Sequence, residues 1–271
     1  MTPAGDLAQR IDDAWLSLSP QEQRVAAFLR TRPDESALYN SSELARRTGV
    51  SKATVSRLFR RLGFAGSQEA REVLRARRAA GSPVLLGDPG DPVSGDAQHL
   101  HALAAGLDRS ALREAAAVIA AAPRVLVIGF RSAFPIAMLL RQDLAQARPG
   151  TLLVPGPGQT LGEEIAGITP DDAVVVVGLR RRPEGFSRTL GRLRDATANI
   201  LLITDSSLRA TGARWRFDVP IESSSAFDSY VAPAALVALL ASDVLAALGT
   251  AGAAHVAAVD RTYVELDELE R

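Results

Sequence analysis

Along the first eighty residues, apolar positions recur at helical spacing. Val25, Phe28 and Leu29 mark one helix in LSPQEQRVAAFLRTRP, with Ser19 expected as its N-cap and Pro20 at its first position. Leu44 and Ala45 mark a second, which Ser42 is expected to cap. After Gly49, Ser51 opens a third, KATVSRLFRRLGF, whose Val55, Leu58, Phe59 and Leu62 fall at i, i+3, i+4 and i+7. Beyond residue 98 the rhythm changes. The helical segments ALREAAAVIAAA, SAFPIAMLLRQDLAQA and SRTLGRLRDAT alternate with the runs RVLVIG, TLLVP, AVVVVG, ILLITD and RWRFDVPI. GQTLGEEIAGITPDD reads as an amphipathic helix, and two Ala/Leu-rich helices are expected over 229–248 and 251–269.

Unbroken Val/Ile/Leu runs between helices describe strands buried on both faces, hence a parallel sheet covered on both sides. Between the two regimes lies AAGSPVLLGDPGDPVSGDA, rich in Gly, Pro and Asp and without a period, which reads as a linker. The expected organisation is an all-α helix-turn-helix domain over 1–79, a linker over 80–97, and a doubly wound α/β domain over 98–271. The length of 271 residues suits two domains, each long enough to bury a core.

Charge sharpens the first domain. Lys+Arg and Asp+Glu both total 31 over the whole chain, yet residues 41–80 hold ten Lys/Arg against Glu43, Glu69 and Glu72. Phosphate affinity follows localised rather than total positive charge, so this segment points to a polyanion. Two helices joined by a Gly-containing turn, the second basic and apolar along one stripe, form the arrangement that lays its second helix in the DNA major groove. Short Ser51, Thr54 and Ser56 would let that helix approach base edges and phosphates, while Lys52, Arg57, Arg60 and Arg61 neutralise the backbone. Ser42, at the start of the preceding helix, joins them as a candidate contact to a double-stranded operator.

Other classes recede. The chain has no cysteine, which excludes disulfides and thiolate metal sites, and only three histidines, so no metal or other cofactor is expected. Asp6, Arg10, Asp12 and Asp13 interrupt any secretory apolar region near the start, and YVAPAALVALLA is short for a bilayer span. A cytoplasmic protein without a membrane partner is expected.

Residues 17–78, with LSPQEQRVAAFL, SELARRTGVSKATVSRLFRRLGF and EAREVLRARR, resemble the N-terminal domain of RpiR/MurR-type transcriptional regulators. The resemblance implies sequence-specific DNA binding.

Ligands of open α/β sheets bind beyond the carboxyl ends of the strands. The strand-end loops are GFRSAF, with Gly129, Arg131 and a Ser132 expected to cap the next helix; GLRRRPEG, with Arg180, Arg181 and Arg182; TDSS, with Thr204; and ESSSAFDS, with Ser223, Ser224 and Ser225. Helix-end amides beside a hydroxyl suit an anion. Residues 98–250 resemble the sugar isomerase (SIS) domain that follows the helix-turn-helix in the RpiR family, whose loops after the first and third strands hold the phosphate of a sugar phosphate through Ser/Thr clusters. Ser132 matches the first loop. The second departs: Leu179-Arg180-Arg181-Arg182 stands where Ser-x-Ser/Thr-Gly is expected. Guanidinium groups also bind phosphate or carboxylate in bidentate fashion, so the resemblance implies an anionic effector, a phosphorylated sugar or a sugar acid. A SIS-type isomerase or lyase with an attached DNA-binding domain is the alternative, with Glu163, Glu164, Glu184 and Glu222 as candidate proton carriers. No loop pairs a carboxylate with a His, so no enzyme is expected. Helix-turn-helix proteins meet two half-sites as dimers, which makes a homodimer, or a homotetramer built from dimers, the expected assembly.

Overall fold

The computed structural model describes residues 7–31, 40–79, 91–209, 212–223, 225 and 227–268. It divides into two compact units, with the main boundary between residues 95 and 96.

The N-terminal unit is helical: α1 (Leu7–Ala14), α2 (Pro20–Thr31), α3 (Ser41–Thr48), α4 (Lys52–Arg61) and α5 (Ser67–Ala79). Its core gathers Ile11, Val25, Leu29, Leu44, Val55, Leu58 and Phe59, all fully buried, so the periodic positions of the sequence are the ones that pack. Ser19 opens α2 as expected, its N–H and hydroxyl both donating to Glu22 Oε2 at 2.9 and 2.7 Å. The cap of α3 is Asn40 rather than Ser42. Asn40 Oδ1 accepts from Ser42 N at 2.9 Å and Glu43 N at 3.1 Å, while Glu43 Oε2 accepts from Asn40 N at 2.8 Å. This reciprocal box satisfies two orphan helix-end donors and places Ser42 inside the first turn. Gly49, at φ 67°, supplies the left-handed residue that ends α3. Ser51 then caps α4, accepting from Thr54 N at 3.1 Å.

Of the expected linker, 80–90 lie outside the described residues. Residues 92–97 are helical, because Pro92 occupies the first position of α6 (Pro92–Gly106) and the Asp91 carboxylate accepts from Val93 N and the Ser94 hydroxyl.

The second unit holds a five-stranded, wholly parallel sheet ordered β2-β1-β3-β4-β5. Its strands are β1 (Val125–Gly129), β2 (Thr151–Val154), β3 (Ala173–Gly178), β4 (Ile200–Thr204) and β5 (Trp215–Asp218). Alternate residues serve opposite cores. Val125, Val127, Val175, Val177, Leu201 and Ile203 pack on one side, with α7 (Arg109–Ala121), α8 (Phe134–Ala147) and α11 (Val231–Glu265). Leu126, Ile128, Val174, Val176, Ile200 and Leu202 pack on the other, with α9 (Gly162–Ala166) and α10 (Phe186–Ala196). Burial on both faces is why these strands read as continuous apolar runs. The long amphipathic helix expected over GQTLGEEIAGITPDD is only the short α9, since Gly162, Gly167 and Pro170 disfavour extending it. The two expected C-terminal helices run on as α11, interrupted at Gly249, whose φ 55° and ψ −127° suit only glycine.

Candidate functional site

Helix α4 is sided. Val55, Leu58, Phe59 and Thr54 face the core, while Lys52, Ala53, Arg57 and Arg60 are exposed and Ser56 is half-buried between them. Positions 52, 53, 56, 57 and 60 thus form one outward stripe. Two of the candidate DNA contacts are engaged within the domain. Thr54 is 1% exposed; its hydroxyl lies 3.0 Å from Ser51 Oγ and donates to Gln21 Oε1 at 3.3 Å. Arg61 donates to Ser17 O at 2.6 Å and sits 3.4 Å from Glu22, tying the end of α4 to the start of α2. Burial pushes the Glu22 carboxyl up, but hydrogen bonds from Ser19 and the charges of Arg61 and Arg57 outweigh it, leaving its pKa lowered. The sequence reading omitted Ala53. Its spacing of four residues before Arg57 is the available signal, and a methyl on this stripe suits contact with a thymine methyl. Ser42 is half-buried, and exposed Ser51 uses its hydroxyl as the cap.

In the second unit the strand order reverses between β1 and β3, the place where loops diverge and open sheets form a ligand crevice. Gly129↔Val177 pairing brings the ends of these two strands side by side, so loops 130–133 and 179–185 both leave the sheet at this switch point. In the first loop Gly129 is required by packing: a Cβ there would lie 2.6 Å from Ala137 Cβ and 3.0 Å from Ala133 O. Arg131 is exposed and takes φ 54°, rare for a non-glycine residue. Ser132 does not cap α8. It sits exposed in a 3-10 turn, Arg131–Ala133, and Ala133 occupies the cap position without a side-chain bond.

The three arginines of the second loop have different environments. Arg180 is buried and its N–H donates to Asp205 Oδ2 at 2.7 Å. Arg182 Nη1 donates to Asp205 Oδ2 and Gly178 O, each at 2.8 Å, and Nη2 to Ser207 Oγ at 2.6 Å. Arg181 is exposed. Burial pushes the Asp205 carboxyl up, yet hydrogen bonds from Ser207 and Arg180 N and the Arg182 charge prevail, so it stays ionised below its ordinary range. Arg182 is therefore an internal strap joining the β3 and β4 loops. Thr204, fully buried, donates to Gly178 O at 2.9 Å. Asp205 and Ser207 were absent from the candidates; the hint was an Asp two residues before a Ser, the pattern of the turn closed by Ser207 N on Asp205 Oδ1 at 2.9 Å. Ser225 N donates to Ser223 Oγ at 3.1 Å, and Ser224 lies outside the described residues. Among the candidate proton carriers, Glu163 accepts from the Thr160 hydroxyl, Glu184 and Glu222 are exposed, and Glu164 is half-buried. Among the described residues no group of His, Asp or Glu could hold a metal ion.

The profile of the helix-turn-helix domain of the rpiR family matches residues 5–81, and that of the SIS domain matches residues 118–242. No curated protein matches the sequence. Solved structures that share the fold include the following two. The Vibrio vulnificus NanR protein complexed with ManNAc-6P is 18% identical, with a TM-score of 0.55 over 96% of this chain and 98% of that one. The sugar isomerase domain of an RpiR transcription factor from Sphaerobacter thermophilus is 23% identical, with a TM-score of 0.56 over 67% of this chain and 99% of that one.

Proposed function

The chain belongs to the rpiR family of helix-turn-helix regulators that carry a SIS domain, and from that premise we propose how it reads DNA and what controls it. Helix α4 enters the major groove of a double-stranded operator with Lys52, Ala53, Ser56, Arg57 and Arg60 as its contact stripe. A second copy occupies the other half-site. The effector is an anion, a phosphorylated sugar or a sugar acid, held in the crevice between loops 130–133 and 179–185 by Ser132 and by Arg181. The phosphosugar bound by Vibrio vulnificus NanR supports this ligand class.

The observation that carries the reading is the sidedness of α4: its apolar face and Thr54 are buried, while every residue of the outward stripe is basic or small. In anisotropy titrations at several salt concentrations, Arg57→Ala and Lys52→Ala should weaken operator binding. A base contact costs about 1–3 kcal/mol and relaxes specificity, whereas a phosphate contact weakens all sequences and lowers the salt slope by about one unit. Unchanged affinity in both variants overturns the groove placement.

Binding proceeds without turnover. Asp205, the carboxylate buried at the strand ends, is fixed as an anion by Arg182, which suits scaffolding rather than proton transfer. A thermal-shift screen of sugar phosphates and sugar acids, followed by NMR of any binder incubated with the protein, tests both halves. A binder raises the melting temperature and stays unconverted; interconversion of a sugar phosphate restores the isomerase or lyase reading.

A further inference from the structure

At the head of α4 one buried hydroxyl organises the polar groups around it. Thr54 is 1% exposed, yet its Oγ1 meets three side chains: Ser51 Oγ at 3.0 Å, Gln21 Oε1 at 3.3 Å and Arg57 Nη2 at 3.4 Å. A hydroxyl has one proton to give and two lone pairs to fill. The proton goes to the Gln21 amide oxygen, which can only accept. Both lone pairs are then left for the Ser51 hydroxyl and the Arg57 guanidinium, each of which can donate. Ser51 is itself held as the helix cap, since its Oγ accepts from Thr54 N at 3.1 Å. Gln21 is held from the other side, because its neighbour Glu22 pairs with Arg61 and pins α2 to α4.

Ser51 and Gln21 already satisfy a buried threonine hydroxyl. The third bond is surplus to that need, and it runs out to an exposed cation of the outward stripe. Among the described residues the other cations of the stripe, Lys52 and Arg60, have no side-chain partner. The buried Glu22 carboxylate draws Arg57 the same way: burial raises its pKa, and Ser19, Arg61 and then Arg57 lower it. Such a tether matters little for a phosphate contact, which needs only positive charge nearby. A guanine edge is different, because two parallel bonds form only when the guanidinium plane is held in that of the base.

We propose that Thr54 is a positioning residue that sets the Arg57 guanidinium for reading a base, with Gln21 of α2 as its anchor. The proposal rests on α4 lying in the major groove. Arg57 then reaches the operator with part of its rotamer freedom already lost, so less is lost on binding. At 3.4 Å the tether biases the guanidinium without locking it, which lets it close on the base. Specificity thereby draws on α2, a helix outside the α3 and α4 pair.

The probe is a duplex enriched by the wild-type, full-length protein from a random-sequence library, compared with a scrambled duplex of the same length and composition. In anisotropy titrations Thr54→Val, which keeps the branched shape and removes the hydroxyl, should weaken binding of the enriched duplex about three- to tenfold, the worth of holding one long side chain. Binding of the scrambled duplex should hardly change, and the salt slope should match wild type because no charge is removed. Thr54→Ser should recover most of the loss, and Thr54→Val made in an Arg57→Ala background should cost nothing more. Gln21→Leu, at an exposed position of α2, should repeat the Thr54→Val pattern and carries the test if that variant fails to fold. Equal weakening of both duplexes, a further loss in the Arg57→Ala background, or unchanged affinity in both Thr54→Val and Gln21→Leu would each overturn the proposal and leave Thr54 a packing residue. Wild-type affinity in Arg57→Ala refutes the groove placement itself, whereas a loss in Arg57→Ala without one in Thr54→Val refutes the positioning alone.

Discussion

Arg57 and Arg61 are exposed cations one helical turn apart on α4, and the two have different partners. Arg61 reaches back to Ser17 O and Glu22, so it fastens α4 to α2. Arg61→Ala should lower stability by about 1 kcal/mol, the net worth of one such hydrogen bond with a half-exposed ion pair adding little. Arg57 Nη2 makes a longer bond, to Thr54 Oγ1 at 3.4 Å, so Arg57→Ala should lower the melting temperature less than Arg61→Ala while reducing operator affinity, a contrast that separates anchoring from reading. Asp172 offers a second residue-scale test. Arg124 holds it bidentately, through Nε to Oδ1 at 3.1 Å and Nη2 to Oδ2 at 2.6 Å, and Thr169 N donates at 2.7 Å, lowering its pKa to about 2. A depressed carboxyl contributes stability above its unfolded pKa, about 3.9, and loses it as pH falls through the folded value. Urea midpoints of wild type and Arg124→Ala should therefore differ at pH 6 and converge between about pH 4 and pH 2. A gap that persists unchanged to pH 2 rules the pair out as its source. Neither Arg182–Asp205 nor Arg124–Asp172 was legible in the sequence, because each joins residues more than twenty positions apart and only the paired strands bring them together. For the same reason the run Arg180-Arg181-Arg182 offered at least one anion ligand without saying which, whereas the structure buries Arg180 and ties Arg182 to Asp205.

At the level of elements, local chemistry was most legible where one residue type serves one geometry. Gly49 at φ 67° and Ser51 as a cap appear in the structure as the spacing implies. The strands, too, were plain, since two-sided burial leaves no polar alternation to misread. Ser42 and Ser132 misled because several polar residues near a helix start compete for the cap. Asn40 with Glu43 makes two reciprocal bonds where Ser42 would make one, and a 3-10 turn already supplies the entry to α8. Asn40→Ala should cost about 1 kcal/mol of stability, and Ser42→Ala much less, as denaturant midpoints would show. Gly129 bears on which element shapes the effector loop. A methyl there meets Ala137 Cβ at 2.6 Å and the Ala133 and Phe134 backbone, none of which can swing aside. Gly129→Ala should destabilise by about 1–3 kcal/mol, as overpacking does, and lose effector binding with it. A variant of native stability that has lost only the ligand would instead make Gly129 a contact residue.

At the scale of the whole molecule, regulation requires that effector and operator favour different arrangements of one assembly. The α4 stripe and the strand-end loops of β1 and β3 belong to separate compact units, so coupling of effector to operator requires that the two units respond to each other. Coupling of this kind is reciprocal: a factor by which effector weakens operator binding equals the factor by which operator weakens effector binding. Typical coupling of 1–3 kcal/mol corresponds to about 5–150-fold. Calorimetric titration of an identified sugar phosphate, with and without saturating operator duplex, should return the same factor as anisotropy titration of the duplex with and without that ligand. Ser132→Ala should reduce effector affinity while leaving operator affinity without effector unchanged, because Ser132 lies in the other unit. If operator and effector instead bind with equal affinity together and apart, neither selects between states of the protein, and the anion is a passenger rather than a signal.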